Sequence, residues 1–123
     1  MSKILLVDDD QSTAYILSMM LKLNDFEVHP YTDPEAALSA FQKRQFDLLL
    51  LDVRMPVMSG FELYRKTRDI DENVKVCFMT NYANEYLQEF RRLFPELADQ
   101  NFSAKPAVTA DLLKMVQSAL GQR

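Results

Sequence analysis

Four consecutive leucines, Leu48-Leu49-Leu50-Leu51, run directly into a single aspartate, Asp52. The run is too short for a stable helix, and its lack of alternation leaves no polar face for solvent. It is therefore predicted to be a central strand of a parallel sheet, covered on both faces, with Asp52 at its carboxyl end. A second run, Ile4-Leu5-Leu6-Val7, is apolar in the same way and stops at Asp8-Asp9-Asp10. Between and after these runs the apolar period changes to that of helices, the pattern of strands joined by crossover helices.

The remaining elements follow from the same reasoning. Ala14, Ile16, Leu17, Met20 and Leu21 recur at helical intervals from about Gln11 to Leu23, and Asn24 can take the left-handed conformation that closes such a helix. Glu27 to Tyr31 reads as a strand, but Pro30 cannot donate to a ladder, which places it at a sheet edge. Asp33-Pro34 supplies a capping carboxylate followed by proline at the first helical position, opening a helix through Ala37, Leu38 and Phe41. A loop through Pro56 and Gly60 leads to a helix bearing Phe61, Leu63, Tyr64 and Thr67. Val74 to Met79 is a fourth strand ending at Thr80, and a helix from about Ala83 to Phe94 stops at Pro95. A weak fifth strand near Asn101 to Ala104 precedes Lys105-Pro106. Thr109 is then expected to cap a last helix carrying Leu112, Leu113, Val116 and Leu120 and ended by Gly121.

The result is (βα)₅, an α/β chain without internal repeat or linker. Its 123 residues make one domain able to bury roughly two-thirds of its unfolded surface. With 14 basic against 18 acidic residues the net charge is −4, and no basic run is present to track a phosphate backbone, so direct nucleic-acid binding is not expected. The lone Cys77 cannot form an internal disulfide and reads as a small buried apolar residue. The N-terminus lacks the pattern of a secretory leader, and no run approaches the roughly 18 apolar residues of a membrane span, so a cytoplasmic, membrane-free protein is expected. Two glycines, Gly60 and Gly121, are too few for a dinucleotide-binding loop.

The polar residues fall at the ends of the strands. Asp8, Asp9 and Asp10 end the first, Asp52 the third, Thr80 the fourth and Lys105 follows the fifth. In an open parallel sheet those ends face one crevice, where the strand order reverses. Carboxylates gathered there repel one another and stay ionised together only if a cation neutralises them. An all-oxygen ligand set without histidine or thiolate points to Mg²⁺. A carboxylate beside such an ion, a lysine and a hydroxyl is equipped to attack phosphorus and become an acyl phosphate, which makes Asp52 the candidate nucleophile.

Taken together, Asp8-Asp9, the segment Leu51-Asp52-Val53-Arg54-Met55-Pro56-Val57-Met58-Ser59-Gly60, Met79-Thr80 and Lys105-Pro106 resemble the receiver domains of two-component response regulators, the family of the bacterial chemotaxis regulator. The likeness spans the whole chain. It implies a flavodoxin-like, doubly wound five-stranded sheet of order 2-1-3-4-5, with the second strand at the edge that Pro30 independently requires. It also implies that Asp52 accepts a phosphoryl group from a sensor histidine kinase or a phosphotransfer protein. Asp8, Asp9, Asp52 and the backbone carbonyl of Arg54 would hold Mg²⁺, Lys105 would pair with the phosphoryl group, and Thr80 would hydrogen-bond it. Phe102 occupies the position of the family's switch aromatic, and the Lys105-Pro106 peptide is usually cis there. Phosphorylation would shift the face formed by the fourth helix, fifth strand and fifth helix, where a downstream partner or a second copy docks.

Other readings were weighed for each feature. A haloacid-dehalogenase-type phosphohydrolase wants a second acid two positions after the nucleophile, where this chain has Arg54. A degenerate receiver acting only as a binding module is disfavoured by the full set Asp8, Asp9, Asp52, Thr80 and Lys105. Asp10 reads as a helix cap, His29 as an exposed edge-strand residue, and Met55 and Met58 as packing. Asn81, next to Thr80, is bulkier than the alanine or glycine usual there and is a candidate gate. The stretch from Thr80 to Lys105 is longer than the family pattern. The chain closes at Gly121-Gln122-Arg123, so the expectation is a single receiver domain over residues 1–123 with no output domain, a phosphoacceptor signalling module rather than an enzyme.

Overall fold

In the computed structural model, which describes residues 1–41 and 45–121, the five strands are β1 (Lys3–Val7), β2 (Glu27–Tyr31), β3 (Leu48–Asp52), β4 (Lys75–Thr80) and β5 (Phe102–Ala104). All pair in parallel, in the order β2-β1-β3-β4-β5. The leucine run is the middle strand, with Leu48 to Leu51 fully buried. The proline-bearing strand β2 pairs with β1 alone, so Pro30 sits on an edge.

Five helices cover the sheet: α1 (Gln11–Lys22), α2 (Pro34–Ala40), α3 (Gly60–Ile70), α4 (Ala83–Leu93) and α5 (Thr109–Leu120). Because side chains alternate along a strand, the apolar runs feed two separate cores. Ile4, Leu6, Leu48, Leu50, Cys77 and Met79 pack with Leu17 and Leu21 of α1 and with Leu112 and Val116 of α5. Leu5, Val7, Leu49, Leu51, Val76 and Phe78 pack with residues of α2, α3 and α4, where Phe61, Tyr64, Phe78, Phe90, Phe94 and Phe102 form a network of ring contacts. The expected doubly wound architecture is therefore present. The order reverses between β1 and β3, which opens the crevice at the ends bearing Asp8 and Asp52.

Several local expectations are corrected. The left-handed residue after α1 is Asp25, at φ 69°, rather than Asn24. Phe26 N–H to Leu21 C=O and Asp25 N–H to Lys22 C=O close that end. Asn24 instead sends its side-chain amide to the Met20 carbonyl. Thr109 is the first residue of α5, whose cap position is Val108 without a side-chain bond, so the threonine lies one residue too late to act as the cap. Phe41 and Phe94 lie just past α2 and α4 and are buried there. No peptide bond among the described residues is cis, so Lys105-Pro106 is trans. The Asp33 cap, Pro34 at its helix start and the left-handed Gly121 at the end of α5 stand as expected. Gln122 and Arg123 lie outside the described residues.

Candidate functional site

Asp8 follows β1 directly and is held by its own backbone, whose N–H donates to the Tyr31 carbonyl at 3.1 Å. It is fully buried. One carboxylate oxygen accepts the Asp10 N–H at 2.9 Å, and Asp10 caps α1 by accepting from the Ser12 N–H and the Thr13 hydroxyl. Asp10 is thus the cap it was read as. Asp9 between them is exposed.

Asp52 ends β3 with 3% of its surface exposed. Gly60, the first residue of α3, explains how this strand end is packed: a Cβ at that position would overlap the Asp52 carbonyl oxygen. The loop between them turns at Val57, at φ 72°, closed by Met58 N–H to the Pro56 carbonyl at 2.8 Å. Met55 and Met58 are buried beneath that loop, and Ser59 caps α3 through the Glu62 N–H.

Lys105 enters from the far side. Its N–H donates to the Thr80 carbonyl at 3.0 Å, continuing the pairing of β4 with β5. The long side chain then reaches the carboxylates without a cis peptide, with Nζ 2.9 Å from Asp8 Oδ2 and 3.4 Å from Asp52 Oδ2. Each of Asp8, Asp9 and Asp52 offers an oxygen within 4.8 Å of the others. Three carboxylates against one ammonium leave an excess of negative charge in a partly desolvated place. Burial first, then the Asp8 charge, pushes the Asp52 carboxyl up to about 7, although Lys105 pulls the other way. Burial alone would lower the Lys105 ammonium, but Asp8 and Asp52 more than offset it and hold the group above the usual lysine range. The donor set is hard, anionic and all-oxygen, which suits a divalent cation of the Mg²⁺ class.

Thr80 ends β4, fully buried, with its hydroxyl oxygen accepting the Tyr82 N–H at 3.0 Å. Phe102 opens β5 and is 8% exposed. Its ring stacks on Phe90 at 5.1 Å and lies near Phe61, so it already occupies the inward space that switching was expected to open. Asn81 is exposed and lines a cleft of about 540 Å³ with Asp9, Lys105, Pro56, Arg54 and Tyr82. The Arg54 guanidinium lies 4.8 Å from the centre of the Tyr82 ring. Sequence reasoning passed over Tyr82; its only signal was its place two residues after Thr80 at a strand end. Two peripheral readings change or hold. His29 is not simply exposed, since it lies 2.7 Å from Glu27 and edge-on to Phe46. Cys77 is buried, and burial pushes its thiol up to about 12, which leaves it unreactive.

A model of the response regulator receiver domain matches residues 4–117. The chain belongs to that family. Receiver domains of this family are the signalling domains of two-component response regulators. The transcriptional regulatory protein PrrA of Mycobacterium tuberculosis is 30% identical over 121 residues, 98% of this chain and 51% of that protein. The chain thus spans about half the length of that relative. Among solved structures, the chemotaxis protein CheY4 of Vibrio cholerae superposes with a TM-score of 0.81 at 31% identity, covering 97% of this chain and 98% of that one. The response regulator TrrA of Thermotoga maritima, solved in complex with Mg²⁺-BeF, gives a TM-score of 0.78 at 27% identity over 98% and 99% of the two chains. No helix among the described residues is long and apolar enough to cross a membrane.

Proposed function

We propose that this receiver domain accepts a phosphoryl group on Asp52 from a phosphohistidine of a sensor kinase or phosphotransfer protein. The observation that carries the reading is the convergence of Asp8, Asp9 and Asp52 on one ammonium, that of Lys105. Asp8, Asp9, Asp52 and the Arg54 carbonyl are the proposed Mg²⁺ ligands. When bound, the ion would neutralise the carboxylates and the developing charge on the phosphoryl oxygens. An Asp52 carboxyl raised to about 7 is only partly ionised at neutral pH, so the nucleophile depends on that neutralisation.

In the transfer, an Asp52 oxygen forms the new bond to phosphorus while the phosphorus–nitrogen bond breaks and its electron pair returns to the donor imidazole. Lys105 holds a phosphoryl oxygen by a charge-assisted bond, and the Thr80 hydroxyl donates to another. Turning toward the phosphoryl group draws on the bond that Thr80 now accepts from Tyr82 N–H at the start of α4. That links the site to the face of α4, β5 and α5, where a downstream protein or a second copy would dock. With Phe102 already packed inward, the α4 end of that face carries the first displacement. Asn81 on the rim is the proposed gate to the donor. Phosphohydrolase chemistry of the dehalogenase type is disfavoured because the position two after Asp52 is an exposed arginine. The reading places the domain in the cytoplasm with its kinase, and the net charge of −4 argues against this segment itself touching nucleic acid.

The test is labelling with acetyl phosphate with and without EDTA. Wild type should gain the mass of one phosphoryl group only when Mg²⁺ is free, and Asp52→Ala should gain none. Equal labelling of Asp52→Ala would refute the assignment.

A further inference from the structure

Two exposed side chains from different loops meet above the site. Arg54 stands two residues beyond Asp52 in the loop after β3, and Tyr82 stands two residues beyond Thr80 at the start of α4. Their contact, guanidinium to ring at 4.8 Å, spans the gap between those loops on the rim of the cleft that also holds Asp9 and Lys105. Neither residue is needed for the core. Arg54 is exposed and Tyr82 keeps 43% of its surface. The fold gives no packing reason for the pair, while its place at the only loops flanking the Asp52 and Thr80 strand ends gives a chemical one.

We propose that the Arg54–Tyr82 pair is a bar across the mouth of the phosphoacceptor cleft that slows in-line access to phosphorus on Asp52 and so lengthens the life of the acyl phosphate. This rests on the proposed phosphoacceptor role of Asp52. In hydrolysis a water oxygen bonds to phosphorus as the phosphorus–oxygen bond to Asp52 breaks. The carboxylate regains its electron pair, inorganic phosphate leaves and the spare proton passes to solvent. The incoming water and the leaving group of a small phosphodonor occupy the same apical position, opposite or in place of the Asp52 oxygen. A bar over that position slows loading from small donors and hydrolysis together. An exposed cation–ring contact holds its closed arrangement only a few-fold over the open one, so the effect is correspondingly modest.

The experiment measures, by mass spectrometry on Asp52, loading from acetyl phosphate and subsequent loss of label in wild type, Arg54→Ala, Tyr82→Ala, Tyr82→Phe and the Arg54→Ala/Tyr82→Ala double variant. Each alanine variant should speed both steps by about threefold to fivefold, in line with an exposed cation–ring contact. The double variant should be no faster than either single one, because one contact is lost in all three. Tyr82→Phe keeps the ring and should keep wild-type rates. Unchanged rates in the alanine variants, multiplying effects in the double variant, or a Tyr82→Phe as fast as Tyr82→Ala would overturn the bar. So would slower loading in Arg54→Ala, which would make the guanidinium a recruiter of the anionic donor. Absence of label on wild-type Asp52 would instead overturn the phosphoacceptor reading beneath it.

Discussion

Asp52 has to be buried enough to shelter an acyl phosphate and charged enough to form one, and without a cation these demands conflict. The conflict is visible in its carboxyl, lifted to about 7 by burial and by Asp8 despite Lys105. The consequence for stability has a definite sign. A carboxyl whose folded value lies above its unfolded one, near 3.8, binds protons more tightly when folded, so metal-free stability falls as pH rises from about 4 to about 7. A rise of roughly three units bounds the loss at on the order of 4 kcal/mol, with relaxation of the buried cluster reducing it. Thermal melts in EDTA should therefore show wild type weakening across that window, whereas Asp52→Asn, which cannot ionise, should be nearly flat there and more stable than wild type near pH 8. A parallel fall in both proteins would show that the burden lies elsewhere. The residues of this cluster were legible in the sequence because each closes a strand that is itself unmistakable. Tyr82 was not, since its contact with Arg54 exists only once β3 and β4 lie side by side.

At the level of elements, the strands were read almost to the residue and the caps were not. Leu48 to Asp52 needs no neighbour to be understood, whereas choosing between Asn24 and Asp25, or between Val108 and Thr109, turns on a one-residue offset that tertiary packing decides. The loop from β3 to α3 shows why such offsets matter. Its two unusual positions have opposite requirements. Gly60 must lack a side chain, because the Asp52 carbonyl fills the space where a Cβ would be. Val57 adopts φ 72°, a conformation that costs a branched residue about 1–2 kcal/mol and that asparagine tolerates better. It is 85% exposed, so little packing is lost on substitution. Denaturant unfolding of the two variants should diverge: Val57→Asn should stabilise by about 1 kcal/mol. Gly60→Ala should destabilise by about 2 kcal/mol or more and slow labelling of Asp52, because the clash is with backbone. A Gly60→Ala protein of wild-type stability would mean that the loop can yield.

Across the whole molecule, the site joins three strands that are distant in sequence, so whatever neutralises it holds β1, β3 and the end of β5 together. A divalent ion that binds the folded cluster and not the unfolded chain adds about 2.7 kcal/mol at a hundredfold excess over its dissociation constant, which raises Tm by several degrees. The size of that gain depends on pH in the opposite sense to metal-free stability. Near pH 5 the Asp52 carboxyl, with its folded value of about 7, carries a proton that the ion must displace. Near pH 8 the repulsion is fully developed and its relief is largest. Melting curves with and without Mg²⁺ should show a small rise in Tm near pH 5 and the full rise near pH 8. In Asp9→Ala the rise should disappear, while the metal-free protein gains stability from the removal of a like charge beside Asp52. An equal Mg²⁺ effect at both pH values would separate metal binding from the ionisation of Asp52. Retention of the full effect in Asp9→Ala would remove that carboxylate from the ligand set.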